Sequence, residues 1–261
     1  MPETDLRLAA VRAIAIEAGA LAMAKWRGDF AQWDKSHDNP VSEVDLAVDA
    51  FLREQLFRLD PEAGWLSEET ADSAERLMCP RVWVVDPIDG TRDFVKGRRG
   101  WAVSIALVEG GRPLIGVLDA PARGEHWWAV AGEGGYRNDV RLTASRRADL
   151  VGARVPADML AAVDSDLTCV DRPNSVALRI GMVAADEADL LATLRWGSEW
   201  DIAAAALIAE EAGATVTDAR GQTIRYNSTK GEAFGVLATS PDIHRAAVAR
   251  LADRAALAIV R

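Results

Sequence analysis

Val82-Trp83-Val84-Val85-Asp86-Pro87-Ile88-Asp89-Gly90-Thr91 is the stretch on which the reading of this chain turns. Four β-prone apolar residues break into Asp-Pro, the pattern of a buried strand that ends in a turn. Asp86 and Asp89 then lie three apart at the strand terminus, and Pro87 fixes the backbone between them. This spacing can aim two carboxylates into one small volume, where their repulsion is costly unless a cation lies between them. Oxygen-only ligands with open positions suit Mg²⁺. Gly90 removes a side chain where an anion must approach the backbone, and the amides of Gly90 and Thr91 can form a small nest for it. The Thr91 hydroxyl can orient, and help deprotonate, an attacking water.

Outward from that stretch the chain reads as mixed α/β. Trp65-Leu66-Ser67 is a short apolar segment ending abruptly in Glu68-Glu69. Val103 to Val108 and Leu114 to Leu118 form a hairpin, followed by a strand over Glu125 to Val130 and a Gly-rich turn over 132–135. Upstream, residues 5–27 predict an amphipathic helix with Val11, Ile14, Ala18 and Leu21 on one face. A loop over 35–40 follows, and then Ser42 opens a second helix with the stripe Val48, Leu52, Leu56 and Leu59, stopped by Asp60-Pro61. Beyond about residue 140, helices and strands alternate. The clearest helix runs from Asp201 through Ala212 and closes on Gly213, and Thr215-Val216-Thr217 reads as a strand. Neither repeats nor a linker are evident. The expectation is two halves sharing one interface, residues 1–140 with most of the acids of interest and 141–261 with Asp201.

The 261 residues are 49% hydrophobic and 27% charged, with a net charge of -10. An acidic protein repels polyanions, which disfavours a nucleic-acid polymer or an anionic membrane surface as partner. It would repel a phosphorylated metabolite too, unless bound cations offset the field locally. Cys79 and Cys169 lack metal-site spacing and read as buried, reduced thiols. The acidic N-terminus does not resemble a signal peptide, and no apolar run approaches the roughly 18 residues of a membrane span. A soluble, cytoplasmic protein is expected.

Five acids fall at the ends of elements: Glu68, Glu69, Asp86, Asp89 and Asp201. Each also has a plain reading. An Asp at a strand end is commonly a turn residue, and Asp201 can be a helix N-cap. Ser42-x-x-Asp45 fits a capping box, and Glu68-Glu69 can be a solvated pair. Trp127-Trp128, Trp196 and Trp200 can line a stacking pocket or simply fill core.

Taken together, Asn39-Pro40-Val41-Ser42-Glu43-Val44-Asp45, Ser67-Glu68-Glu69, Asp86-Pro87-Ile88-Asp89-Gly90-Thr91 and Trp200-Asp201-Ile202-Ala203-Ala204-Ala205 resemble, in order and spacing, the inositol monophosphatase superfamily of metal-dependent phosphatases. The resemblance covers most of the chain. It implies a layered α-β-α-β-α sandwich and hydrolysis of a small phosphate monoester with two or three Mg²⁺ ions. By it, Glu68, Asp86 and the Ile88 carbonyl would hold one ion, and Asp86, Asp89 and Asp201 a second. Thr91, supported by Asp45, and Glu68 would serve the attacking water, and the amides of Gly90 and Thr91 the phosphate. A homodimer is compatible with the family.

Three subgroups compete over the substrate. Inositol monophosphatases usually follow Gly-Thr with x-Asn-Phe, whereas this chain has Arg92-Asp93-Phe94-Val95-Lys96. That is similar to the Lys-Glu-Phe of 3'(2'),5'-bisphosphate nucleotidases, which remove one phosphate from adenosine 3',5'-bisphosphate, a by-product of sulfate assimilation. Histidinol-phosphate phosphatases also carry Gly-Thr-Arg, usually with an apolar residue next. Inositol-specific members place a Glu ahead of the Trp-Asp motif to bond sugar hydroxyls; Arg195-Trp196-Gly197 here resembles the Arg-Phe-Gly of bacterial nucleotidases. A guanidinium at Arg195 suits a second phosphate, which a Glu would repel. Arg179, four residues beyond Ser175 in Ser175-Val176-Ala177-Leu178-Arg179, matches a nucleotidase Lys, and the resemblance implies that Ser175, Arg179 and Asp89 contact the substrate. Arg195 and Arg179 also have a plain reading, as solvated side chains. His37 stands where nucleotidases often carry an Asp. The nucleotidase reading leads, followed by inositol 1-phosphate or histidinol phosphate hydrolysis, then by a relic that binds a phosphometabolite without turnover. The basic cluster Lys96, Arg98 and Arg99 reads as a solvated loop.

Overall fold

A computed structural model of the chain describes residues 3–36 and 39–259. Helices α1 (Glu3–Lys25) and α2 (Glu43–Leu59) flank a hairpin of β1 (Gln32–Ser36) and β2 (Asn39–Ser42), so most of the expected loop over 35–40 is paired strand. His37 lies outside the described residues. The buried stripe of α1 is Leu8, Val11, Ala15, Ala18 and Ala22, while Ile14 is half-buried and Leu21 exposed. The face is set by small alanines, which carry a weak hydrophobic signal beside one Leu. In α2, Val48, Leu52 and Leu56 are buried, and the Asp60 N–H caps the helix on the Leu56 carbonyl.

The central sheet is built from β3 (Gly64–Ser67), β4 (Arg81–Asp89), β5 (Ala102–Glu109), β6 (Arg112–Ala120), β7 (Glu125–Val130), β8 (Gly134–Arg137) and β9 (Val140–Arg141), in that spatial order. Only β3 and β4 run parallel; the other neighbours are antiparallel. Alternation sorts the side chains by face. Trp83 and Val85 pack with α1 and α2, whereas Val82 and Val84 join the apolar cluster of the opposite face. Burial on both faces explains why this strand reads as an unbroken apolar run. The strand does not end at Asp86 as expected. It continues to Asp89 across a bulge, with Asp86 opposite Ser104 and Asp89 opposite Ala102. Pro87 falls inside that irregularity, where no ladder donor is required. Gly134 and Gly135, expected in a turn, are likewise paired strand residues. The five-residue helix α3 (Thr91–Val95) follows Gly90.

Two short parallel strands, β10 (Arg154–Pro156) and β11 (Thr168–Val170), open the rest of the chain. Next come α4 (Val176–Ala184), β12 (Leu190–Ala192), β13 (Trp196–Ser198), α5 (Ala203–Glu211), β14 (Thr215–Thr217), β15 (Glu232–Phe234), β16 (Leu237–Thr239) and α6 (His244–Ile259). Strands β12, β16 and β14 form an antiparallel sheet, and β13 pairs with β15. Contacts give the layer order α1/α2, central sheet, α4/α5, three-stranded sheet, α6. This is the α-β-α-β-α sandwich. Helix α5 begins at Ala203 rather than Asp201. The thiols are free but not buried: Cys79 is half-buried beside a 3-10 turn, and Cys169 is exposed on the short strand β11. Among the described residues no helix is long and apolar enough to cross a membrane.

Candidate active site

The layers bring three aspartates together where the central sheet meets α4 and the start of α5. One carboxylate oxygen from each of Asp86, Asp89 and Asp201 lies within 4.8 Å of the other two. The bulge in β4 aims Asp86 and Asp89 toward one cleft, and Ile88 N donates to Asp86 Oδ1 at 3.0 Å. Gly90 then reverses the chain with φ of 97°, a left-handed backbone that disfavours a side chain. A Cβ there would also meet Gly100 O at 2.6 Å and Ser175 N at 2.9 Å.

Asp89 is tied to the C-terminal half. Its Oδ2 accepts from Ser175 Oγ at 2.6 Å and Ala177 N at 2.7 Å, and its Oδ1 accepts from Val176 N at 3.2 Å. The start of α4 therefore grips this carboxylate, with the positive end of the helix toward it. Ser175, expected at the substrate, is fully buried and holds Asp89 instead. Arg179 is buried too, and its guanidinium donates to Ser175 O and Asn174 O. Its solvated reading does not hold.

Asp201 sits in the turn before α5. Ser104 Oγ donates to Trp200 O at 3.2 Å, and Ile202 N and Ala203 N donate to Glu199 O. Glu199 is fully buried and turned away from the cleft, where its carboxylate accepts from Asn227 N and Ser228 N. Among the described residues the Asp201 carboxylate accepts no hydrogen bond, which leaves it to the cleft. Glu68, at the end of β3, also lines the cleft. Its loop is steadied from α2, where Asp49 accepts from Ser67 Oγ and from Thr70 Oγ1.

Asp45 caps its helix and also faces Thr91. It completes the capping box on Ser42, with Ser42 N and Ser42 Oγ donating to Oδ2 at 2.9 and 2.5 Å. Its other oxygen faces Thr91 Oγ1 at 3.1 Å, and the same hydroxyl lies 3.0 Å from Ile88 O. Thr91 has one hydroxyl proton for these two acceptors, so a lone pair remains for the cleft. The Ile88 carbonyl is engaged by Thr91 and is not among the groups lining the cleft.

Burial pushes the Asp86 carboxyl well above the ordinary range, and the charges of Glu68, Asp89 and Asp201 push it further. Asp201 is raised in the same way by burial, then by Asp89 and Glu68, against opposition from Arg195 and Arg179. Asp89 is raised by burial but restrained by Ser175, Ala177 and Arg179. Asp45 is raised by burial, against its bonds to Ser42 and Thr91. An all-oxygen set that repels itself in this way fits a hard divalent cation such as Mg²⁺.

The cleft has a volume of about 450 Å³. Arg195 lines it together with Trp196 and Trp200, whereas Trp127 is core and Trp128 stacks on Tyr136. Trp196 is 50% exposed and braced edge-on by Phe234 across the β13–β15 pair. Arg92, Arg172 and Asn174 also line the cleft. Sequence reasoning gave Arg172 and Asn174 no role; the one local signal was Pro173 and the capping Ser175 just ahead of an apolar helix.

The profile of the inositol monophosphatase family matches residues 3–256. Over 238 residues the chain is 33% identical to a histidinol-phosphatase of Mycobacterium tuberculosis, covering 85% of this chain and 90% of that protein. Over 208 residues it is 34% identical to the 3'(2'),5'-bisphosphate nucleotidase CysQ of Salmonella typhimurium, covering 77% and 84%. The solved structure of a Thermotoga maritima IMPase superposes with a TM-score of 0.81 at 25% identity, over 97% of this chain and 98% of that one. A carboxylate cleft built on this sandwich and a profile match over nearly the whole length lead to one conclusion: the chain belongs to the inositol monophosphatase family, a family of metal-dependent phosphatases.

Proposed function

We propose that the chain is a Mg²⁺-dependent 3'(2'),5'-bisphosphate nucleotidase that converts adenosine 3',5'-bisphosphate to AMP and phosphate. The observation that carries the choice of substrate is the leaving-group side of the cleft. Arg195, Arg92 and Arg172 lie there beside the flat, exposed face of Trp196. Glu199, the acid between Arg195 and Trp200, is buried and turned away. Guanidiniums suit a second phosphate and an indole suits a base, whereas neither is a natural acceptor for sugar hydroxyls. Identity to a CysQ nucleotidase points the same way. A heteroaromatic ring on Trp196 equally suits histidinol phosphate, and identity to a histidinol-phosphatase makes that the second reading.

Glu68, Asp86, Asp89 and Asp201, which all line the cleft, would hold the cations. When bound there, Mg²⁺ supplies Lewis-acid polarisation of the phosphoryl group and offsets the charge that develops on the leaving oxygen. Gly90 and Thr91 present their amides to the phosphate. As the attacking water gives its proton to Thr91 Oγ1, the hydroxyl passes its own hydrogen to Asp45 Oδ1, so the proton ends on that carboxylate. The water oxygen bonds to phosphorus, the ester P–O bond breaks, and the departing alkoxide takes a proton from solvent. Arg179, fixed on Ser175 O and Asn174 O, adds its positive charge to the Ser175 and Ala177 bonds that oppose the rise of the Asp89 carboxyl.

The test is a substrate panel in Mg²⁺ with an EDTA control. The highest kcat/KM is expected for adenosine 3',5'-bisphosphate, with activity lost in EDTA. Equal or faster hydrolysis of inositol 1-phosphate or histidinol phosphate would refute the nucleotidase assignment. Arg195→Glu should raise KM for the bisphosphate about tenfold or more, the loss of one charge-assisted contact. An unchanged KM would remove Arg195 from specificity.

A further inference from the structure

Next to the carboxylate cleft lies a second cavity of about 470 Å³ that shares Arg92, Arg172 and Asn174 with it. Lys96, Arg98, Arg99 and Arg123 complete its cationic lining, against three acids, Asp93, Asp158 and Asp171. In a chain of net charge -10 this is a concentrated reversal of sign. Its walls are held in place. Asp93 Oδ2 accepts from Asn174 N at 3.1 Å, joining α3 to the segment before α4. Gly100 makes that approach possible, because a Cβ there would lie 2.1 Å from Asp93 Oδ2.

The acids neutralise only part of the lining. Arg172 is matched by Asp158 at 2.7 Å, and Arg123 by Glu125 at 2.9 Å. The Arg98–Asp93 pair is long, at 3.8 Å, with Arg98 largely exposed. Arg99 Nε donates to Ala122 O, a neutral acceptor. The Lys96 ammonium makes no ion pair or hydrogen bond among the described residues. Like charges crowded around one cavity repel, and a tetrahedral oxyanion bound among them turns that repulsion into charge-assisted hydrogen bonds.

We propose that this cavity is a second oxyanion site, taking a phosphate or sulfate group and coupled to the cleft through Arg92 and Arg172. The group is either free in solution or carried on the molecule whose other phosphate is hydrolysed. This rests on the phosphatase reading of the carboxylate cleft, and on neither candidate leaving group.

The probe is inorganic sulfate, added to the Mg²⁺-loaded protein and to a Lys96→Ala/Arg99→Ala variant. Sulfate should raise the melting temperature of the wild type, and the variant should need about tenfold more sulfate for the same shift. This readout stands whether or not any nucleotide is turned over, so a failed nucleotidase assignment leaves it intact. Kinetics then separate the sources. A free anion predicts that sulfate alters hydrolysis of adenosine 3'-monophosphate and adenosine 3',5'-bisphosphate alike, without competing for the cleft. A substrate-borne group predicts competition against the bisphosphate alone, with a bisphosphate KM that rises in the variant. An identical sulfate response in wild type and variant would place all anion binding in the cleft and overturn the proposal.

Discussion

Two buried clusters of acid in this protein behave in opposite ways. In the C-terminal half, Asp189 is 1% exposed, and burial alone would raise its carboxyl. Arg154 reaches it through Nε, Nη2 and its backbone N–H, and Ser145 Oγ donates at 2.6 Å, so the net result is a pKa lowered to about 2. At the cleft, Asp86 and Asp201 are desolvated as well, but their nearest charges are other carboxylates, and both are held well above the ordinary range. Burial is common to the two clusters, and the partners decide the sign. An acid surrounded by donors locks a fold, whereas acids facing one another store repulsion that a cation can relieve.

The largest effect expected from this contrast is at Asp86. Asp86→Asn should lower kcat/KM more than about 100-fold, beyond the loss typical of groups that merely support a metal ligand. The same change should raise the melting temperature of the metal-free protein by about 3 °C, because one repelling charge is gone. The pH dependence follows. A carboxyl whose folded pKa lies above its unfolded value binds more protons when folded, so metal-free stability falls as pH rises from about 4 through the raised values. Thermal melts in EDTA between pH 4 and 8 should show that slope in the wild type and a shallower one in Asp86→Asn. A lower melting temperature for the variant would mean that the cluster is a structural lock.

The smaller effect is at Asp189, with opposite sign. Asp189→Asn should cost about 2 kcal/mol, since it weakens charge-assisted bonds to Arg154 and Ser145, and should leave kcat unchanged. A depressed folded pKa contributes stability above the unfolded value and loses it as pH falls toward about 2. Denaturant melts at pH 7 and pH 3 check this: the gap between wild type and variant should narrow at the lower pH. A fall in kcat with stability intact would place Asp189 in the chemistry.

Most of the layered fold was legible because its signals are local. The strand run Val82–Val85, the Ser42 cap and the Gly213 stop each act within a few residues, and Gly213 takes the expected left-handed backbone, with φ of 93°. The convergence of Asp86 and Asp89 was legible for the same reason, since the two share one bulge. What could not be read locally depends on pairs distant in sequence. The grip of α4 on Asp89 spans 86 to 88 residues, so Ser175 read as a substrate contact although its hydroxyl is bonded to the Asp89 carboxylate. Arg76, buried, donates to Asp72 on its own loop and to Asn227, whose backbone N–H is held by Glu199 ahead of Asp201. No periodicity marks such a link. The passage of β4 through Pro87 was hidden because proline reads as a stop unless a bulge is known.

The claim beneath all of this is that carboxylates from separate parts of the chain share a divalent cation. Anomalous diffraction from crystals soaked in Mn²⁺ tests it most directly. The account predicts a peak bound at once by Asp86, Asp89 and Asp201, and its loss in Asp86→Asn. Ordered density for the three side chains at saturating Mn²⁺ with no peak between them would contradict it.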